Sequence, residues 1–107
     1  MSGFVTVAKA EAVPEDQAVI VEVEGRSIAL CHVAGDAIYA VDNVCTHDNG
    51  PLGEGTLRND RIECPRHGAL FDVRSGAAKT LPAIKPVCSY ATRVVDGDVQ
   101  VDLGSTE

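Results

Sequence analysis

Four side chains in the middle of the chain have the chemistry of metal ligands, and they fall into two short pairs. The first pair is Cys45 and His47, with one residue between them, and the second is Cys64 and His67, with two. Sixteen residues separate the pairs. Thiolates and imidazoles both bind transition metals, so a chain that brings two of each together can enclose a metal centre.

Two kinds of centre compete for this ligand set. A structural zinc site usually pairs cysteine with cysteine and histidine with histidine, and a helix carries the histidines. An asymmetric [2Fe–2S] centre takes two thiolates on one iron and two imidazoles on the other. If the loops face each other, Cys45 meets Cys64 and His47 meets His67. The mixed pairs therefore favour the iron–sulfur centre, with zinc as the alternative.

The composition limits what else the chain can do. Its 107 residues, 45% of them apolar, suffice for one compact domain with its own core. A formal net charge of −7 repels nucleic acids and anionic membranes and favours a partner with a basic docking face. The sequence has neither an export signal nor an apolar run long enough for a membrane helix. We therefore expect a soluble cytoplasmic protein, whose cysteines bind metal rather than form disulfides.

Short alternating apolar segments predict that the ligands are positioned by an antiparallel all-β fold. Each segment is rich in β-branched residues or alternates apolar with polar residues, and each ends at turn-forming residues. This pattern favours a small sandwich or barrel, in which strands form a rigid frame and loops carry the function. The predicted strands span residues 4–9, 18–24, 27–33, 37–41, 89–95 and 98–103, and there is no convincing helix. Residues 11–17 are expected to be a solvated connection that could hold one short helical turn.

The ligand pairs lie in a segment that departs from this strand pattern. Residues 49–55 contain three glycines and a proline, which indicates a loop of defined shape. Asn59 and Asp60 predict a hairpin turn, and the outer ends of such a hairpin lie about 5 Å apart. The hairpin can thus bring the two ligand pairs side by side. A third loop, residues 80–86, has two prolines and can cover the metal centre.

The two pairs and their spacing resemble the motif of the Rieske iron–sulfur proteins, in which Cys-x-His is followed by Cys-x-x-His-Gly. The resemblance extends through almost the whole chain and is closest to the small soluble Rieske ferredoxins that serve multicomponent oxygenases. It implies a single Rieske domain over residues 1–107, with a cluster-binding subdomain at about residues 43–86 inserted in the β frame.

The resemblance also implies a role for each site residue. Cys45 and Cys64 would bind the inner iron of one [2Fe–2S] cluster, while His47 and His67 would bind the outer iron. The loop around Pro82 would cover the cluster.

The function implied by the resemblance is electron transfer. The chain would carry single electrons from an NAD(P)H-dependent flavoprotein reductase to a terminal oxygenase acting on aromatic rings, as a monomer and without catalysis of its own. An oxygen-activating iron would need further ligands, commonly two histidines and a carboxylate, and only His32 is left over. Two alternatives stay open: a permanent small subunit of another oxidoreductase, such as a nitrite reductase, and a zinc-stabilised interaction module without a redox role.

Two positions after the second ligand pair bear on the reduction potential. The respiratory branch of the Rieske family has a serine and a tyrosine there, which donate hydrogen bonds to sulfur. This chain has Ala69 and Phe71, which cannot donate. The potential is therefore expected at the low end of the Rieske range, about −150 mV.

Four further residues receive specific predictions. Cys31 alternates within a strand and is expected to be a small buried apolar residue, whereas His32 beside it is expected to face solvent. Cys88 is expected to pack within the structure. Arg66 lies between two ligands and is a candidate for docking onto a partner's carboxylate.

Overall fold

A computed structural model describes residues 4–35, 37–44, 51–65, 68–79 and 86–106, with the backbone alone for residues 104–106. Within these ranges the chain forms nine strands and two short 3₁₀ helices. The 3₁₀ helices are Ala10–Ala12 and Leu52–Glu54. The strands are β1 Phe4–Lys9, β2 Gln17–Val23, β3 Arg26–His32, β4 Ile38–Asp42, β5 Thr56–Arg58, β6 Arg61–Glu63, β7 Leu70–Asp72, β8 Ser89–Val95 and β9 Asp98–Thr106.

Six of these strands form one antiparallel sheet in the order β1-β9-β8-β4-β3-β2. Its centre is apolar on both faces, which explains the unbroken apolar run in β3. Successive strand residues point to opposite faces, so Ile28 and Leu30 enter one buried cluster with Val99 and Val101. On the opposite face, the cluster that contains Ala29 and Cys31 joins this sheet to the rest of the chain.

Two tight hairpins set the register of this sheet, as the sequence predicts. The turn residues Glu24 and Gly25 have φ of 50° and 81°, and Asp96 and Gly97 have φ of 52° and 81°. Positive φ at both central residues is the geometry of the type I′ turn, whose twist matches that of the flanking strands. Glycine and aspartate tolerate this conformation, so Gly25, Asp96 and Gly97 favour the two hairpins locally.

The second sheet contains β5, β6 and β7 and lies within the segment that carries the ligand pairs. The predicted hairpin is confirmed: Leu57 pairs with Ile62, and Asn59 in the turn has a φ of 58°. Ile62 also pairs with Phe71 on β7. These apolar side chains share a buried cluster with Ala29 of β3, which packs the small sheet against the large one.

The first connection and the last strand differ from the sequence prediction. Residues 11–17 are mostly exposed, as expected of a solvated link, and the first 3₁₀ helix forms the short helical turn that the sequence allows there, but Val13 is only 1% exposed. Val13 joins the cluster of Ile28 and Leu30, because a single apolar residue in a polar link can reach the core. Strand β9 continues to Thr106, beyond the predicted end at Leu103.

Candidate metal centre

The structure describes one of the four predicted ligands, Cys64, together with the ends of three segments at the site. The first ligand segment contains Cys45 and His47, the second contains Cys64 and His67, and the third is the proline loop, residues 80–86. The other ligands and the predicted covering and docking residues lie outside the described residues: Cys45, His47, His67, Pro82 and Arg66. The geometry of the candidate site is therefore defined by the residues that anchor these segments.

Cys64 follows β6 directly and is 1% exposed. Its backbone N–H donates to the carbonyl of Ala69 over 2.7 Å, and its own carbonyl accepts from the N–H of Gly68 over 3.0 Å. Gly68 has a φ of 75°, a conformation that glycine adopts without steric cost. Two backbone hydrogen bonds thus close the second ligand segment and fix the Cys64 thiol in the apolar cluster beneath it.

The segment that contains the proline loop is anchored beside this cysteine. The N–H of Val87 donates to the carbonyl of Gly76 over 2.8 Å, and Val87 shares the buried cluster of Cys64. The next residue, Cys88, accepts a hydrogen bond from the N–H of Asp42 over 2.9 Å. Asp42 ends β4 just before the first ligand segment, and Cys88 follows the proline loop. The hydrogen bond between these two residues therefore holds the start of the first segment next to the end of the third.

The first ligand segment is anchored by Asn43. Its backbone N–H donates to the carbonyl of Ser27, and its side-chain Oδ1 accepts from the N–H of Gly53. Gly53 belongs to the second 3₁₀ helix, whose Leu52 is fully buried. Asn43, which follows β4, therefore joins the chain before the first ligand pair to the second 3₁₀ helix, which comes after that pair.

A cleft of about 490 Å³ opens next to these anchors, and Val44 and Cys88 contribute to its wall. Within it, the hydroxyl of Tyr90 donates to Oδ1 of Asp42, and the Arg26 guanidinium carbon lies 5.9 Å from the centre of the Tyr90 ring. Burial, followed by the bond to Asp42, raises the pKa of Tyr90 to about 12. Among the described residues, no group of three histidine, cysteine or acidic side chains is placed to hold a metal ion. Tyr90, Asp42 and Arg26 thus form a polar cluster in the wall of the cleft.

The outcome for the remaining cysteines and His32 is mixed. Cys31 is fully buried, as predicted, and burial raises the pKa of its thiol to about 12. The prediction for His32 is wrong, because its ring is half-buried and Nδ1 lies 2.7 Å from the carbonyl oxygen of Val13. The prediction for Cys88 is also wrong, because its side chain is exposed.

Sequence reasoning missed several residues that shape the site. Asn43 is one, and the others are glycines at points of close approach. A Cβ on Gly55 would overlap the carbonyl of Glu63, next to Cys64, and a Cβ on Gly76 would overlap the carbonyl of Val87. The abundance of glycine in these segments signals special backbone conformations. It does not identify the neighbour that each glycine must accommodate.

The donor set fits an iron–sulfur centre with mixed ligation. The three cysteines that the structure describes, Cys31, Cys64 and Cys88, are free thiols. Cys64 lies at the closed base of its segment, whereas burial keeps Cys31 protonated. The sequence supplies one further thiol, Cys45, and the two imidazoles at His47 and His67. An all-β chain with this donor set fits the class of iron–sulfur proteins with mixed thiolate and imidazole ligation.

The family comparison agrees with this class. Residues 3–91 match the family model described as the Rieske [2Fe-2S] domain, and the chain belongs to that family.

Named relatives come from aromatic dioxygenase systems. The chain is 38% identical over 91 residues to the ferredoxin component of the naphthalene 1,2-dioxygenase system of Pseudomonas aeruginosa, covering 85% of this chain and 86% of the relative. It is 39% identical over 79 residues to the anthranilate 1,2-dioxygenase ferredoxin subunit of Burkholderia cepacia, covering 74% and 72%.

A solved structure shows the same fold. The chain superposes with a TM-score of 0.88 and 33% identity on a chain from a complex of reduced oxygenase and oxidized ferredoxin in carbazole 1,9a-dioxygenase, covering 97% and 95% of the two chains. The all-β prediction and the resemblance to Rieske ferredoxins are thereby confirmed. No helix within the described ranges is long and apolar enough to cross a membrane.

Proposed function

We propose that this chain is a one-electron carrier that passes electrons from an NAD(P)H-dependent flavoprotein reductase to a terminal oxygenase acting on aromatic rings. The observation that carries the proposal is the likeness, over most of both chains, to proteins named as ferredoxin components of aromatic dioxygenase systems. The superposed ferredoxin fold from a complex with an oxygenase supports an oxygenase as one partner. The carrier itself would be a cytoplasmic monomer and not an enzyme.

The proposed ligands are Cys45 and Cys64 for one iron and His47 and His67 for the other, in one cluster per chain. When bound, a Rieske [2Fe-2S] cluster supplies reversible one-electron redox chemistry. The role of the chain is to present the four donors at fixed positions and to limit water around the thiolates. Cys64, 1% exposed, meets both requirements.

The residues beside Cys64 support a low reduction potential. Ala69 and Phe71 are fully buried in the same apolar cluster as Cys64, and neither side chain can donate a hydrogen bond. Fewer donors near sulfur leave the added electron less stabilised, so we propose a potential near the low end of the Rieske range, about −150 mV. A potential of this size suits reduction by a flavoprotein.

The two alternatives have less support. A Rieske subunit of another oxidoreductase, such as a nitrite reductase, would share the family, but the relatives described above carry ferredoxin names from dioxygenase systems. A zinc-stabilised module would not be expected in a family described by its [2Fe-2S] domain. We also retain, as proposals, the single domain over residues 1–107 and the cluster-binding subdomain at about residues 43–86.

Metal analysis and electron paramagnetic resonance test the proposal. We expect a red-brown protein with about two irons and about two acid-labile sulfides per chain. The His47→Cys variant should lose the cluster or shift its spectrum toward that of an all-cysteine cluster, because imidazole ligation sets the asymmetry. A colourless wild-type protein that contains zinc contradicts the proposal, and an unaltered spectrum in the variant removes His47 from the ligand set.

Reconstitution tests the place of the chain between its partners. An aromatic-ring dioxygenase and its flavoprotein reductase, purified without their own ferredoxin, should form product when this chain is added with NAD(P)H. Two samples should leave product at background, namely the chain with its cluster removed and the chain without reductase. Product formation that is independent of the reductase would contradict the proposed order of electron transfer.

A further inference from the structure

Asn43 occupies a junction between three parts of the chain, two residues before the first proposed ligand. Its Nδ2 donates to Oγ of Ser27 over 3.0 Å, and its backbone N–H donates to the carbonyl of the same residue over 3.0 Å. Its Oδ1 accepts a hydrogen bond from the N–H of Gly53 over 2.6 Å. We call this set, Ser27, Asn43 and Gly53, the Asn43 junction.

The Gly53 side of the junction is held rigidly against the large sheet. A Cβ built on Gly53 would lie 2.6 Å from Cγ1 of Ile20 and 3.2 Å from Cβ of Ala29. The neighbouring Leu52 is fully buried in the cluster that contains Ala29. The second 3₁₀ helix therefore rests directly on β2 and β3 and provides a fixed point for Asn43.

In each of the three segments at the site, hydrogen bonds join the two ends of the segment, but the kind of bond differs. Backbone hydrogen bonds from Cys64 to Ala69 and from Gly68 to Cys64 close the second segment, and a backbone bond from Val87 to Gly76 closes the third. The first segment is closed by a side chain, because Gly53 donates to Oδ1 of Asn43. A substitution at one position can thus open this segment without altering backbone pairing elsewhere.

We propose that Asn43 is a positioning residue for the first ligand pair: through Ser27 and Gly53 it fixes the two ends of the segment that contains Cys45 and His47. This inference rests on the proposed function, since it requires those two residues to bind the cluster. Gly53 is a buried residue, so loss of the acceptor for its N–H leaves an unsatisfied donor that destabilises the closed segment.

The test compares three variants as iron-loaded proteins. Asn43→Leu has a side chain of similar size but cannot form either side-chain bond. Asn43→Asp retains an acceptor for Gly53 and can accept a hydrogen bond from the Ser27 hydroxyl. The matched control is Thr92→Val, which removes the partly buried bond from Thr92 Oγ1 to the carbonyl of Ile38, at the other end of β4.

The readout is the rate at which an iron chelator bleaches the visible absorbance of the cluster, together with the electron paramagnetic resonance spectrum. Asn43→Leu should bleach at least about tenfold faster than wild type, because it loses two side-chain hydrogen bonds and the loss of one corresponds to about this factor. Its resonance should also broaden. Asn43→Asp and Thr92→Val should each bleach within about twofold of wild type, even where Thr92→Val lowers the unfolding temperature.

The inference is overturned if Asn43→Leu bleaches no faster than Thr92→Val, or if Asn43→Asp is as fast as Asn43→Leu. Should Asn43→Leu not fold, Ser27→Ala removes only the bond to Nδ2. We then expect faster bleaching than in Thr92→Val, and bleaching at the Thr92→Val rate again overturns the inference. A wild-type protein without iron contradicts the proposed function itself, and this is seen before any variant is compared.

Discussion

The cysteines that the structure describes occupy three different environments, and these environments predict different reactivity. Cys31 is fully buried between the sheets, Cys64 lies at the base of a ligand segment, and Cys88 is exposed at the edge of the cleft. Only a thiolate that reagents can reach is nucleophilic. Burial raises the pKa of the Cys31 thiol to about 12, so this residue remains protonated at neutral pH.

Alkylation with iodoacetamide at pH 8, followed by peptide mass spectrometry, should therefore label Cys88 first. Cys31 should stay unlabelled until the protein unfolds. Cys45 should be labelled only after the iron has been removed, because it is a proposed ligand, whereas Cys64 should be protected both by the iron and by its burial. Labelling of Cys64 in the iron-loaded protein at the rate of Cys88 would remove Cys64 from the ligand set. The Cys88→Ser variant provides the background.

The raised pKa of Cys31 also has a consequence for stability. Its folded pKa of about 12 lies above the ordinary value of 9.0, so the unfolded thiol ionises first as the pH rises. The contribution of Cys31 to stability is complete below about pH 9 and is lost as the pH rises toward about 12.

The sequence predicts individual residues well where local pattern decides their environment. The apolar run of β3 is enough to bury Cys31, and the Cys–His spacing is enough to identify the family. The environment of His32 depends on Val13, which is distant in sequence, and that of Cys88 depends on the end of β4. Such contacts leave no periodic signal, and for this reason these two predictions are wrong.

At the scale of elements, residues close together in the sequence form the hairpins, whereas the contact between the two sheets depends on residues far apart in the sequence. Arg74, which follows β7, donates to Asp60 in the β5–β6 turn over 2.7 Å and to the hydroxyl of Tyr39 on β4 over 3.2 Å. Its guanidinium carbon also lies 5.3 Å from the centre of the Tyr39 ring. One side chain thus links the small sheet to the large sheet, in addition to their shared apolar cluster. No sequence pattern predicts this link.

The contact between Gly76 and Val87 anchors the proline-rich segment. Alanine substitutions at Gly76 and at Gly97, which has the same φ, test the importance of this contact. Gly76 and Gly97 both have a φ of 81°, but only Gly76 lies against another backbone group, the carbonyl of Val87. Alanine at either position incurs the cost of a left-handed conformation, about 1 kcal/mol. Gly76→Ala must also displace Val87, so we expect a total loss of about 3 kcal/mol.

Urea unfolding of both variants, compared with wild type under the same anaerobic conditions, measures the two losses. The difference between Gly76→Ala and Gly97→Ala isolates the close approach, since a Cβ on Gly97 has no neighbour within 4 Å among the described residues. Gly76→Ala should also speed chelator bleaching of the cluster, because Val87 borders the site, and Gly97→Ala should not. Equal losses of stability in the two variants would show that Val87 moves easily to accommodate a Cβ at position 76.

At the scale of the whole molecule, the acidic excess is the main long-range feature. The chain has nine basic and sixteen acidic side chains. In the described part, Lys9, Arg58 and Arg74 form ion pairs with Asp98, Glu63 and Asp60, and these pairs leave the net charge unchanged. A net charge of −7 should steer the chain toward basic surfaces on its partners, with an association rate that falls as salt rises.

The exposure of the second ligand segment predicts where partner proteins dock on the molecule. Pro65 and Gly68, on either side of Arg66 and His67, are both exposed, so the segment between them begins and ends at the surface. An electron that leaves through the imidazole of His67 would cross an interface at this point. We expect one surface to serve both partners in turn, with a transient interface of less than about 1,200 Å² in total.

Arg66→Glu tests this docking position against a control with the same charge change. Arg61 is exposed at the turn end of β6, three residues before Cys64 and about 10 Å from it along the strand. Arg61→Glu alters the net charge equally, so both variants share the change in long-range steering. Only Arg66→Glu should also lose an orienting contact with a partner carboxylate.

Stopped-flow reduction by the reductase and reoxidation by the oxygenase, across a range of ionic strength, separate these two effects. We expect Arg66→Glu to slow electron transfer about tenfold more than Arg61→Glu, a difference that persists at high salt because an orienting contact is screened less than long-range attraction. Voltammetry should show nearly the same potential in both variants, which would exclude a change in driving force as the cause. Equal rates in the two variants, together with wild-type rates that do not respond to salt, would place the docking surface elsewhere on the molecule.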